Sequence, residues 1–126
     1  MKKIIYTKNA PEPIGPYNQA ILVNNTLYIS GQIGINPKTN HLDLSNIENE
    51  TVQVLENLKA ILTEANFNIK DVVKTSIFIS NMDDFATINK VYASYFNFDD
   101  APARETVAVK TLPKNVNIEI SAIAIK

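Results

Sequence analysis

Val52, Leu55, Leu58, Ile61, Leu62 and Ala65 recur at the three-to-four spacing of one helical face, and Phe85, Ile88, Val91, Tyr92 and Tyr95 repeat the pattern further along. β-prone runs stand before and after both stretches. Lys3 to Tyr6, Gln19 to Val23 and Thr26 to Ser30 precede the first helix, Val72 to Ser80 separates the two, and Arg104 to Lys110 and Val116 to Ile125 follow. The order β-β-β-α-β-α-β-β places a strand on either side of each helix, which predicts an α+β fold with both helices packed on one face of a mixed sheet. Two helices cover one face only. The opposite face is therefore expected to be buried against other subunits in a cyclic homo-oligomer.

Local signals refine this outline. Residues 11–17, PEPIGPY, hold three prolines and a glycine, which exclude helix and present Tyr17 on an extended, turning segment. Asn24-Asn25 suits a two-residue hairpin turn, because asparagine tolerates positive φ. Gly31 interrupts a run that otherwise continues through Gln32 and Ile33, and reads as a bulge, a close approach of some group to the backbone, or a simple strand end. Ser45 and Glu48 have capping-box spacing for the first helix, which should run to about Asn66. Alternation puts Val73, Thr75, Ile77 and Ile79 on one face of the next strand and Lys74, Ser76 and Phe78 on the other. Asn81 is a cap candidate, with Asp83 and Asp84 at the positive end of the second helix dipole. Asn89 falls at the edge of that helix's aromatic stripe, which reads as core packing rather than as an aromatic ligand box. The turn 97–102 leads to the last two strands, and the nearly continuous apolar run of the final one predicts a central position in the sheet.

Composition limits the chemistry. At 126 residues, one domain spanning 1–126 is expected. With 45% hydrophobic residues, 20% charged residues and a formal net charge of -1, nothing marks a disordered chain or a surface built to grip polyanions. Lys2 and Lys3 are followed by too few apolar residues for a signal peptide, and no run approaches the roughly 18 that cross a bilayer, so a cytoplasmic, non-membrane protein is expected. The chain has no cysteine, which removes thiolate nucleophiles and zinc-thiolate sites. His41 is the single histidine; in the polar stretch PKTNHLD it reads as a solvated loop residue rather than a catalytic base, and it builds no metal cage.

Of the 12 basic residues, Arg104 alone is arginine. Its planar fork holds a carboxylate through two parallel hydrogen bonds in a way lysine does not, so a chain otherwise supplied with lysine keeps arginine where geometry counts. Alternation puts Arg104, Thr106 and Ala108 on the face opposite Glu105, Val107 and Val109. An intramolecular ion pair with Glu105 or Glu119 is the plainer reading of the same residue. Glu119 interrupts the β-run VNIEISAIAI, where a carboxylate is costly unless compensated. It is either paired with Arg104 or faces a cleft, where it orients a water molecule.

IGPYNQA, ISGQIG, NMDDFATINKVY, APAR and LPKNVNIEISAIA together resemble the reactive intermediate deaminase (RidA/YjgF) family over nearly the whole length of the chain. The resemblance implies a chorismate-mutase-like fold assembled as a homotrimer with clefts between subunits. It implies hydrolysis of 2-iminobutanoate, 2-iminopropanoate and their enamine tautomers, by-products of pyridoxal-phosphate enzymes, to 2-oxo acids and ammonia, with no cofactor and no metal. Arg104 would bind the substrate carboxylate, and Glu119 would position or activate the water. Tyr17, Ser30, Gly31 and Asn89 would line the cleft, with the Gly31 backbone against the substrate nitrogen. Thr106, also placed at the substrate, stands where many relatives have cysteine, which argues against a required thiol. Two other readings remain: an RNA-directed translation inhibitor or endoribonuclease, against which the charge balance speaks, since no nucleic-acid partner is expected, and a non-catalytic carboxylate-binding trimer.

Overall fold

The computed structural model describes residues 1–126. Eight strands and two α-helices follow in the order β1 (Lys2–Ile5), β2 (Ala20–Val23), β3 (Thr26–Gln32), β4 (Ile35–Asn36), β5 (His41–Leu42), α1 (Ile47–Glu64), β6 (Val72–Ile79), α2 (Phe85–Ala93), β7 (Ala103–Ala108) and β8 (Ile118–Ile125). Six of the strands make one mixed sheet, ordered β1-β2-β3-β8-β6-β7, in which only β6 and β7 run parallel, joined through α2. β8 is central, as its apolar run predicts. β4 and β5 form a separate two-residue hairpin on the polar stretch that holds His41, too short for its alternation to be seen in the sequence.

α1 and α2 pack side by side over one sheet face. Leu55, Leu58, Ile61 and Leu62 of α1 join Leu27, Ile77, Ile79, Ile118, Ile120 and Ile88 in a single core cluster. Truncating one of the fully buried leucines to alanine is expected to cost about 2–5 kcal/mol.

Four local expectations are corrected. The α1 cap is Asn46, whose side chain accepts from the Asn49 N–H at 2.8 Å; the Ser45 hydroxyl is instead turned back onto Asp43 at 2.6 Å. Because Glu50, Thr51 and Val54 turn inward, Val52 is left outside the core, 40% exposed. In β6 the register against β8 slips by one residue between Val72 and Lys74, so Val72 is buried and Val73 faces solvent. At the β2–β3 turn only Asn24 takes a positive φ, of 53°.

The other sheet face is uncovered by any helix of the chain. Register aligns Ile4, Ile21, Tyr28 and Ile123 in one row across four strands, and Ile4 and Tyr28 are about half exposed. No helix is long and apolar enough to cross a membrane.

Candidate functional site

The residues singled out by sequence fall into two groups, one on each face of the sheet. The first group is built on β3 and β8. Gln19, fully buried, accepts from the Thr7 N–H at 2.7 Å and donates to the carbonyls of Thr7, Ala10 and Pro11, which pins the proline-rich segment against the sheet. That segment closes in a tight turn, Tyr17 N–H to Gly15 carbonyl at 2.8 Å, and leaves the Tyr17 ring half exposed. The Ser30 hydroxyl donates to the Asn18 carbonyl at 2.6 Å, tying the segment to β3.

Just there β3 holds one extra residue relative to β8: Ile29 is opposite Ala122, but Gln32 is opposite Ile120. Both the bulge and the close approach anticipated at Gly31 are present. A Cβ at Gly31 would lie 2.4 Å from Glu119 Oε2, so the absence of a side chain is what lets the carboxylate lie over the backbone. Tyr17, Ser30, Gly31 and Glu119 line one open cavity of about 380 Å³. Burial alone pushes the Glu119 carboxyl above its ordinary value.

The second group is built on α2 and β7. Arg104 is opposite Thr75 of β6, on the helix-covered face. Its guanidinium lies 4.8 Å from the centre of the Tyr92 ring and 5.7 Å from that of Phe85. These rings are seven residues apart, two turns of α2, and so share a stripe. The Tyr92 hydroxyl is hydrogen-bonded to Thr75 Oγ1 at 2.8 Å, which fixes the ring, and burial raises the Tyr92 pKa. Asn89, Arg104 and Tyr92 line a cavity of about 260 Å³. Thr106 lies two residues on, on the same face, and its Oγ1 is the chain's one buried side-chain polar atom without a hydrogen-bond partner.

Neither ion pair considered for Arg104 forms. The single salt bridge joins Glu105 to Lys74 at 2.8 Å, and Glu105 also accepts from Ser76; these partners hold its carboxyl below the ordinary value. Glu119 is opposite Phe78, three residues along β6 from Thr75, and strand alternation therefore puts it on the face away from Arg104. The guanidinium is left with aromatic faces, a contact worth about 0.5–2 kcal/mol, and with no anion of its own. The largest cavity, about 630 Å³, lies between the N-terminal segment and the β4–β5 hairpin and contains none of these residues. His41, on its rim, is exposed, as its polar surroundings predict.

Residues 7–126 match the Endoribonuclease L-PSP family. A RutC family protein of Pyrococcus horikoshii is 52% identical over 126 residues, covering 100% of this chain and 99% of the relative. A 2-iminobutanoate/2-iminopropanoate deaminase of Dermatophagoides farinae is 47% identical over 98% of this chain and 96% of its own length. A solved structure of a conserved Rid family protein from Yersinia pestis superposes with a TM-score of 0.96 at 48% identity, covering 100% of both chains. The chain belongs to the RidA/YjgF family.

For this member of the RidA/YjgF family, the residues expected in one cleft are divided. Tyr17, Ser30, Gly31 and Glu119 meet at one cavity; Asn89 and Arg104 meet at another, with Thr106 beside Arg104 on its strand face. Tyr92 lies in the core, as the reading of the stripe as packing has it, and together with Phe85 it also gives Arg104 an aromatic platform that the sequence analysis does not single out; their i, i+7 spacing on the stripe facing the arginine strand is the available signal. Sequence reasoning also missed Gln19, the buried polar side chain that holds the Tyr17 segment in place.

Proposed function

We propose that the chain is a 2-iminobutanoate/2-iminopropanoate deaminase working as a cytoplasmic homotrimer, in which Arg104 of one subunit faces Glu119 of the next. The observation that carries this reading is the separation of the two groups. An unpaired cation and a carboxyl whose proton affinity is increased by burial stand in open cavities on opposite faces of one sheet, which supports a site completed by a second copy. The uncovered row Ile4, Ile21, Tyr28 and Ile123 supports association through that sheet face. The likeness to the 2-iminobutanoate/2-iminopropanoate deaminase of Dermatophagoides farinae supports the substrate.

In this scheme Arg104 binds the substrate carboxylate through two N–H donors and fixes the imine carbon between the half-sites. Glu119 takes a proton from water as the oxygen adds to that carbon, and the imine π electrons move to nitrogen. The carboxyl returns that proton to nitrogen to give the carbinolamine, then takes the carbinol O–H proton and passes it to nitrogen as the C=O forms, the C–N bond breaks and ammonia leaves. One imine and one water give one 2-oxo acid and one ammonia. A carboxyl whose affinity for protons is increased by burial suits these transfers. Tyr17, Ser30, the Gly31 backbone, Asn89 and Thr106 complete the walls; the unpartnered Thr106 hydroxyl has hydrogen-bonding capacity to offer there.

The test is to generate 2-iminobutanoate with threonine dehydratase and follow 2-oxobutanoate release. The wild type should accelerate hydrolysis and Arg104→Ala should not. Catalysed RNA cleavage that persists in Arg104→Ala, or carboxylate binding with no acceleration of imine hydrolysis, would replace this reading with another.

A further inference from the structure

The cavity beside Arg104 is not lined evenly. Arg104 and Asn89 supply the polar groups, and much of the remaining wall is Tyr92, Phe96, Phe98 and Pro102. Tyr92 and Phe96 are held against each other with ring centres 4.6 Å apart. Phe98, in the turn between α2 and β7, is 96% exposed, a whole aromatic ring left in water at the rim of a cavity that also holds the chain's one arginine. Ala101, which lines the same cavity, is too short to cover it. An apolar rim around a single cation is the chemistry of a site for an anion that carries an apolar group.

Resting on the deaminase reading, we propose that the substrate side chain lies in this cavity and that Phe98 sets a preference for 2-imino acids with branched or aromatic side chains over 2-iminopropanoate and 2-iminobutanoate, which are also hydrolysed. The three substituents of the trigonal imine carbon diverge in one plane. With the carboxylate on Arg104 and the nitrogen turned outward to the half-site supplied by another copy, the remaining substituent points back over Phe96 and Phe98. A methyl or ethyl group leaves that wall wet. Each further methylene buried against it should raise kcat/KM by about fourfold at full burial.

The experiment compares imines released from leucine and from alanine by an L-amino-acid oxidase, with kcat/KM measured for wild type, Phe98→Ala and Phe98→Leu and the oligomeric mass followed by light scattering. The expected wild-type ratio favours the leucine-derived imine by about tenfold; Phe98→Ala brings the ratio near one, and Phe98→Leu restores most of it. Folding is not at stake in a side chain this exposed. A wild type that hydrolyses both imines with a ratio at or below one, or a ratio untouched by Phe98→Ala, overturns this inference and leaves the deaminase reading standing. A wild type that hydrolyses neither overturns both. A change of mass in Phe98→Ala makes Phe98 a subunit contact and overturns the pocket assignment.

Discussion

Two glutamates lie against two glycines at the end of β3, and their surroundings are opposite. Glu50, from α1, packs its Cγ where a Cβ on Gly34 would approach to 3.0 Å, and is fully buried. Its carboxylate accepts from Asn117 N at 2.7 Å, Asn117 Nδ2 at 2.8 Å and Ile118 N at 3.3 Å, and so anchors the start of β8. Glu119, one residue further along β8, lies over Gly31 with burial as the sole influence on its pKa. A carboxylate whose acceptor sites are filled by backbone donors holds strands together. One that is desolvated without such donors is poised for proton transfer, and the same side chain serves either end according to what surrounds it.

The sharpest way to break the contrast is Glu119→Gln. It should lower kcat/KM for 2-iminobutanoate about 10³-fold while leaving the fold intact. Because burial raises the folded-state pKa, the stability linked to this group is present when it is protonated and is lost as pH rises through that pKa. At pH 7 the wild type therefore carries a penalty that glutamine does not, and thermal melts should give Glu119→Gln an equal or higher Tm; the advantage should vanish below about pH 4. Glu50→Ala should do the reverse. Orphaning the Asn117 and Ile118 N–H groups should cost about 3 kcal/mol in denaturant unfolding, with activity per folded molecule retained.

The two glycines sharpen the comparison with smaller effects. In Gly31→Ala the new methyl meets the far end of the Glu119 side chain, which can swing away, so activity should fall about tenfold with little change in Tm. In Gly34→Ala it meets Glu50 Cγ and, at 3.3 Å, the α1 backbone, so the loss should appear as about 1–3 kcal/mol of stability instead. Matched kinetics and unfolding curves on the pair decide this. Equal losses of activity in both variants would remove the distinction between the two carboxylates.

The same residues mark what was legible in the sequence. The central position of β8 follows from its apolar run, the two helices from their periodicity, and the bulge at Gly31 from a glycine inside a strand. Val52 and Val73 were misplaced because a strand bulge and the inward turn of Glu50 shift the buried phase by one residue, which composition does not reveal. Ser45 and Asn46 are both good caps, and only the competing contact of Ser45 with Asp43 decides between them. Strand alternation gave the face of Arg104 relative to Glu105, yet whether Arg104 meets Glu119 depends on which β6 residue each is paired with. Thr75 and Phe78 differ by three positions, an odd number, and this parity belongs to the sheet register, not to either strand alone.

The central claim is that each subunit holds half of every site. Arg104→Ala and Glu119→Gln, each inactive alone, are unfolded together in equal amounts and refolded, and 2-iminobutanoate hydrolysis is measured. In a cyclic trimer an intact pair requires a Glu119→Gln subunit to present its Arg104 to an Arg104→Ala neighbour, which random mixing places at about one cleft in four. Recovery of about a quarter of wild-type activity is the predicted result. A mixture no more active than its parents, with subunit exchange shown by mass, would contradict it.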